Sequence, residues 1–138
     1  LGIILNHQGR SVPTFGIVDS GADDCVFPLS LAGSLQIITP NQRSYVFSGA
    51  ADNPQLAFFE KIEMVIWDFA NDRAAFTFEL DVGFTAALDQ IGAGLLGQNG
   101  FFSRFRVTMD HENNFFDLER IEQSQLPLTS PSGQSLLG

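Results

Sequence analysis

The sequence has 138 residues, 44% of them hydrophobic and 14 of them Phe, which is enough apolar material for one packed domain and too much for a disordered chain. A formal net charge of −9 at pH 7 argues against the basic patches that non-specific binding to nucleic acid or to anionic membranes requires. A single cysteine, Cys25, excludes an internal disulfide and fits a reducing, cytoplasmic compartment, and no apolar run approaches the length of a membrane span.

In chain order, Leu1 to Leu5 reads as a strand, Asn6 to Arg10 as a hairpin turn and Val12 to Val18 as the returning strand. Cys25-Val26-Phe27 is a short apolar strand stopped by Pro28, and Leu29 to Leu35 fits a short helix or a turn. Tyr45-Val46-Phe47 and Leu56 to Phe59 flank a tip of small residues, Ser48 to Pro54, as the two arms of a hairpin. Ile62 to Phe69 is strand-like and Asn71-Asp72-Arg73 makes a turn. Phe76, Phe78, Leu80 and Val82 then alternate with Thr77, Glu79 and Asp81, the clearest period-two pattern in the chain. Ala86 to Gly94 fits neither period. After Leu95-Leu96-Gly97, Asn99 is placed to cap a short helix through Arg106 that buries Phe101, Phe102 and Phe105. Val107 to Met109 and Phe115 to Leu118 form a last hairpin, and residues 121 to 138, rich in Ser, Pro, Gly and Gln, read as a flexible tail or linker. The pattern predicts an all-β domain over residues 1 to 120, closed or sandwich-like, with one short C-terminal helix.

Chemistry concentrates at Val18-Asp19-Ser20-Gly21-Ala22-Asp23-Asp24, where a carboxylate follows directly on an apolar strand. Asp-Ser-Gly alone is equally good turn chemistry. A strand can nevertheless deliver such a carboxylate to the floor of a cleft, with Gly21 permitting a tight turn and Ser20 bracing the loop. Two carboxylates held together share one proton, so that one acts as base and the other as acid.

Three segments occur in order: VDSGADD, the small-residue hairpin tip FSGAAD, and LLGQNGFFSRFRV. Together they resemble the retropepsin-like aspartic proteases, the retroviral proteases and their single-domain cellular and bacterial relatives, over roughly residues 2 to 119. The closing hairpin is more similar to that of the cellular and bacterial members. The resemblance implies a closed acid-protease barrel with Asp19 as the catalytic aspartate. Ser20, Gly21, Ala22 and Gly97 would support the active loop. Gly21, Asp23, Asp24, Phe47, Ser48, Gly49 and Ala50 would contact substrate, residues 47 to 51 acting as a flap. The retroviral pattern carries Arg after the glycine matching Gly97, paired with the acidic residue matching Asp23; here that position is Gln98. The retroviral segment before the first hairpin also has no counterpart.

One Asp-Ser-Gly per chain implies a homodimer whose two-fold axis pairs Asp19 with its copy. The expected activity is hydrolysis of an extended peptide or protein substrate, without cofactor or metal; the alternative is a catalytically silent dimerisation or peptide-binding module on the same fold. Asp23 and Asp24 lack the spacing of a calcium loop. His7 and His111 read as surface turn residues, and Cys25 as a small core residue.

Overall fold

The computed structural model describes residues 1–37, 44–48, 54–110, 112–113 and 115–121. They fall into two compact units, Leu1–Phe101 and Phe102–Gly138.

The first unit is built on a closed barrel. Its strands are β1 (Gly2–His7), β2 (Arg10–Val18), β3 (Val26–Pro28), β4 (Ser44–Ser48), β5 (Pro54–Asp68), β6 (Arg73–Thr85) and β7 (Gly94–Leu96). The sheet runs β1-β2-β7-β3-β6-β5-β4, and a further pairing of β1 with β5 closes the first six positions on themselves. Closure removes the free edges that an open sheet of this length would expose. β5 serves both purposes. Its first residues pair with β4, from Ser48↔Pro54 to Ser44↔Phe58, and Glu63 to Ile66 pair with β1.

The alternation in β6 gives the barrel its interior. Phe78, Leu80, Val82 and Phe84 point inward and are buried, whereas Thr77, Glu79 and Asp81 face out. Across the pair, Ile62 lies opposite Leu80, Met64 opposite Phe78 and Phe58 opposite Phe84. The Phe58 and Phe84 rings meet with centroids 5.7 Å apart. With Ile3 and Leu5 of β1, Val26 and Phe27 of β3, and Leu96 of β7, these side chains form one apolar core. Each such side chain stabilises the fold by roughly 1.5–3 kcal/mol relative to exposure.

The turns follow from local chemistry. Gln8 and Gly9 join β1 to β2 with φ of 48° and 81°, the positive pair that a two-residue hairpin needs. Asp68 closes the β5–β6 turn by accepting from the backbone N–H of Ala70 and Asn71 and from Asn71 Nδ2. Residues 56 to 68 belong to one strand, not two, because Lys61 stays in the pleat with its side chain outward beside Asp81.

The α-helix among the described residues, α1 (Leu29–Ser34), follows β3 directly. The predicted helix after Asn99 is not formed: residues 100 to 104 are turns. Gly100 has a φ of 103°, which no right-handed helix accommodates. Asn99 donates to the Asp19 loop in place of accepting from a helix end.

In the second unit, β8 (Phe105–Asp110) and β9 (Phe115–Arg120) form an antiparallel hairpin, in register from Phe105↔Arg120 to Asp110↔Phe115. This matches the last hairpin read from the sequence. Of the predicted tail, only Ile121 is described; residues 122 to 138 lie outside the described residues.

Candidate active site

Strand order positions the Asp19 loop. β2 and β3 are consecutive in the chain but not neighbours in the sheet, because β7 is threaded between them. β7 runs parallel to β2, pairing Ile17 with Leu95 and Val18 with Leu96, and antiparallel to β3, pairing Leu95 with Val26. Residues 19 to 25 therefore pass over the C-terminal end of β7, and Gly97 lies under the loop. A Cβ on Gly97 would stand 2.4 Å from the Asp24 carbonyl oxygen and 2.6 Å from that of Ala22. Only glycine lets the two segments approach so closely.

The loop is tied down by backbone bonds. Asp19 N–H donates to the Leu96 carbonyl at 3.1 Å, and Ala22 N–H donates to the Asp19 carbonyl at 3.1 Å, closing a four-residue turn. Gln98 N–H donates to the Ala22 carbonyl at 2.9 Å, and Asn99 N–H to the Asp23 carbonyl at 2.7 Å. Inside the turn, Gly21 N–H donates to Asp19 Oδ1 at 2.9 Å. Among the described residues, the other carboxylate oxygen, Oδ2, accepts no hydrogen bond. Asp19 is half-exposed, and Ser20 and Gly21 are exposed. The arrangement anchors the carboxylate through one oxygen and leaves the second open to water or to another acid.

Two residues that the sequence reading left out of the site reach into the loop. Gln98 Nε2 donates to the Ser20 carbonyl at 2.8 Å. Asn99 Nδ2 donates to Asp24 Oδ1 at 3.0 Å, and Asp24 and Asn99 also form a parallel bridge. The adjacent polar pair after Gly97 was the available signal, but contacts spanning 75 to 78 residues leave no local pattern. Asp23 is exposed, and its carboxylate has no hydrogen-bond or ion-pair partner among the described residues. The neutral Gln98 turns to the loop backbone instead.

Of the other expected site residues, Ala22 is half-buried within the turn, and Phe47 and Ser48 lie on β4. Gly49, Ala50 and Ala51 lie outside the described residues. Among the described residues, no three His, Cys, Asp or Glu side chains are grouped so as to hold a metal ion, and no helix is long and apolar enough to cross a membrane. Comparison with protein-family models, with curated proteins and with solved structures finds no match to this chain.

Proposed function

We propose that the chain is an aspartic endopeptidase of the retropepsin-like type, assembled as a homodimer in which Asp19 of each copy supplies half of the catalytic pair. The observation that supports this most is the Asp19 turn. It hangs from the end of a barrel strand, is fastened to Leu96 at the end of β7 and to Gln98 just beyond it, and, among the described residues, holds the carboxylate by one oxygen.

In this reading the two carboxylates share one proton. The ionised one takes a proton from a water lying between them as the water oxygen attacks the peptide carbonyl carbon. The protonated one gives its proton to the carbonyl oxygen, forming a neutral tetrahedral diol. Its collapse breaks the C–N bond, with one proton passing to the departing nitrogen and one returning to the pair. The substrate lies extended and adds strand-like hydrogen bonds to the β4–β5 hairpin.

The test is cleavage of a diverse peptide library by the purified chain and by Asp19→Asn. Cleavage should fall by about a hundred- to ten-thousand-fold, the loss typical of a missing acid–base group, with the melting temperature unchanged. An Asp19→Asn protein that cleaves normally would refute the assignment. A folded wild-type dimer that binds peptides and cleaves none would favour the silent module.

A further inference from the structure

Gln98 Nε2 and the Asp19 carboxylate are attached to opposite ends of one peptide group. Gln98 donates to the carbonyl oxygen of Ser20 at 2.8 Å, and the N–H of that same peptide unit, on Gly21, donates to Asp19 Oδ1 at 2.9 Å. The unit is planar, so its two ends reorient together. It is also the central peptide of the Asp19–Ala22 turn, the one group in a four-residue turn that can flip by half a rotation. Gly21 makes that flip accessible, because the flipped turn needs a positive φ at the third residue, which glycine adopts freely. Gly21 is absent from the residues with positive φ, so the turn holds the unflipped orientation. The flip would carry the Ser20 carbonyl toward Asp19 and the Gly21 N–H away from it.

We propose that Gln98 is a positioning residue of the proposed protease site: by holding the Ser20 carbonyl, it fixes the peptide group whose N–H orients Asp19. This rests on the proposed function only for its catalytic consequence. The two bonds run in series through one amide, so each polarises the other in the favourable sense. A glutamine does this without charge, beside a loop that already carries Asp19, Asp23 and Asp24. Where the retroviral pattern has an arginine directed to an acidic side chain, this chain directs a neutral amide to the loop backbone. The strength of that bond is insensitive to pH and weakly sensitive to salt.

Two variants of the full chain test this. Gln98→Ala removes the donor but keeps the Gln98 backbone bond to Ala22, so the barrel should fold. NMR relaxation dispersion at the Gly21 and Ala22 amides should show microsecond-to-millisecond exchange in Gln98→Ala and none in wild type. Gln98→Glu offers a donor only when protonated. The exchange should be absent below about pH 4.5 and present above about pH 6.5, since neighbouring carboxylates raise a glutamate from its ordinary value. A merely structural role would not produce that pH dependence. In peptide cleavage, Gln98→Ala should lower kcat about tenfold with KM little changed. Flat dispersion profiles for all three proteins would overturn the proposal, as would a Gln98→Glu profile that does not change with pH. Absence of cleavage by wild type would count against the proposed function alone, because the dispersion profiles decide the role of Gln98 without it.

Discussion

Gly97 lies against the Asp24 carbonyl so closely that a methyl group on its Cα would come within 2.4 Å of the oxygen. The clash is with backbone, on a loop also bonded to Gln98 and Asn99, so no side-chain rotation relieves it. Gly97→Ala should therefore destabilise the fold by about 1–3 kcal/mol through overpacking. It should also reduce peptide cleavage even at temperatures where the protein stays folded, because the Asp19 turn rides on the displaced segment. Urea unfolding together with kcat/KM checks both parts. An alanine variant of unchanged stability would show that the loop is looser than this packing.

Asn99 fastens the far side of the same loop. Asn99→Ala keeps its backbone bond to Asp23 and loses the side-chain bond to Asp24, an exposed contact contributing about 0.5–1.5 kcal/mol. The predicted effect on stability is small. Asp24→Ala and Asn99→Ala should be non-additive when combined, because each removes the same bond, and a double-mutant cycle measures this directly. Strict additivity would mean that the two side chains do not interact in solution.

The barrel interior gives a sharper stability prediction. Phe84 is 1% exposed and its ring packs on Phe58. Phe84→Ala should cost about 3–5 kcal/mol, a large part of a small domain's stability. Phe84→Leu should cost clearly less. Thermal unfolding of the two variants provides the comparison, and equal losses would contradict the assigned packing.

The Asp68 turn predicts a pH effect. The Asn71 side-chain hydrogen bond is the main cause that holds the Asp68 carboxyl below the usual aspartate value; backbone bonds from Asn71 and Ala70 and the nearby Arg73 charge act in the same direction, against some desolvation. A carboxyl depressed in the folded state stabilises the fold above its unfolded value, and that contribution fades as pH falls through the folded value. Asn71→Ala should raise the Asp68 titration midpoint toward the ordinary range and flatten this acid dependence. An NMR titration of the Asp68 side-chain carbon reads the shift, and an unmoved midpoint would contradict the assigned cause.

Much of this fold was written locally. The β6 alternation fixed an inward face in advance, and the hairpin turn read at Asn6 to Arg10 narrows to Gln8 and Gly9, whose positive φ values explain it. The long β5 was obscured by Glu60 and Lys61, which look like an interruption until the strand is seen to expose Lys61 beside Asp81. The helix expected after Asn99 failed because its apolar spacing concealed a glycine with positive φ and an asparagine engaged elsewhere. At the candidate site, Asp19-Ser20-Gly21 was legible because turn and carboxylate are contiguous. The contributions of Gln98 and Asn99 were not, since they depend on β7 threading between β2 and β3, a relation set by the whole sheet.

The central claim is that one active site needs Asp19 from two copies. Mixing a fixed amount of wild type with increasing Asp19→Asn tests it most directly, once the subunits have exchanged. If both variants dimerise equally, a nine-fold excess of Asp19→Asn leaves about one wild-type subunit in ten paired with another wild type, by random pairing in a symmetric dimer. The account predicts that peptide cleavage per wild-type subunit falls to about a tenth. Cleavage that stays constant through the titration, with mixed dimers demonstrated in the sample, would contradict it.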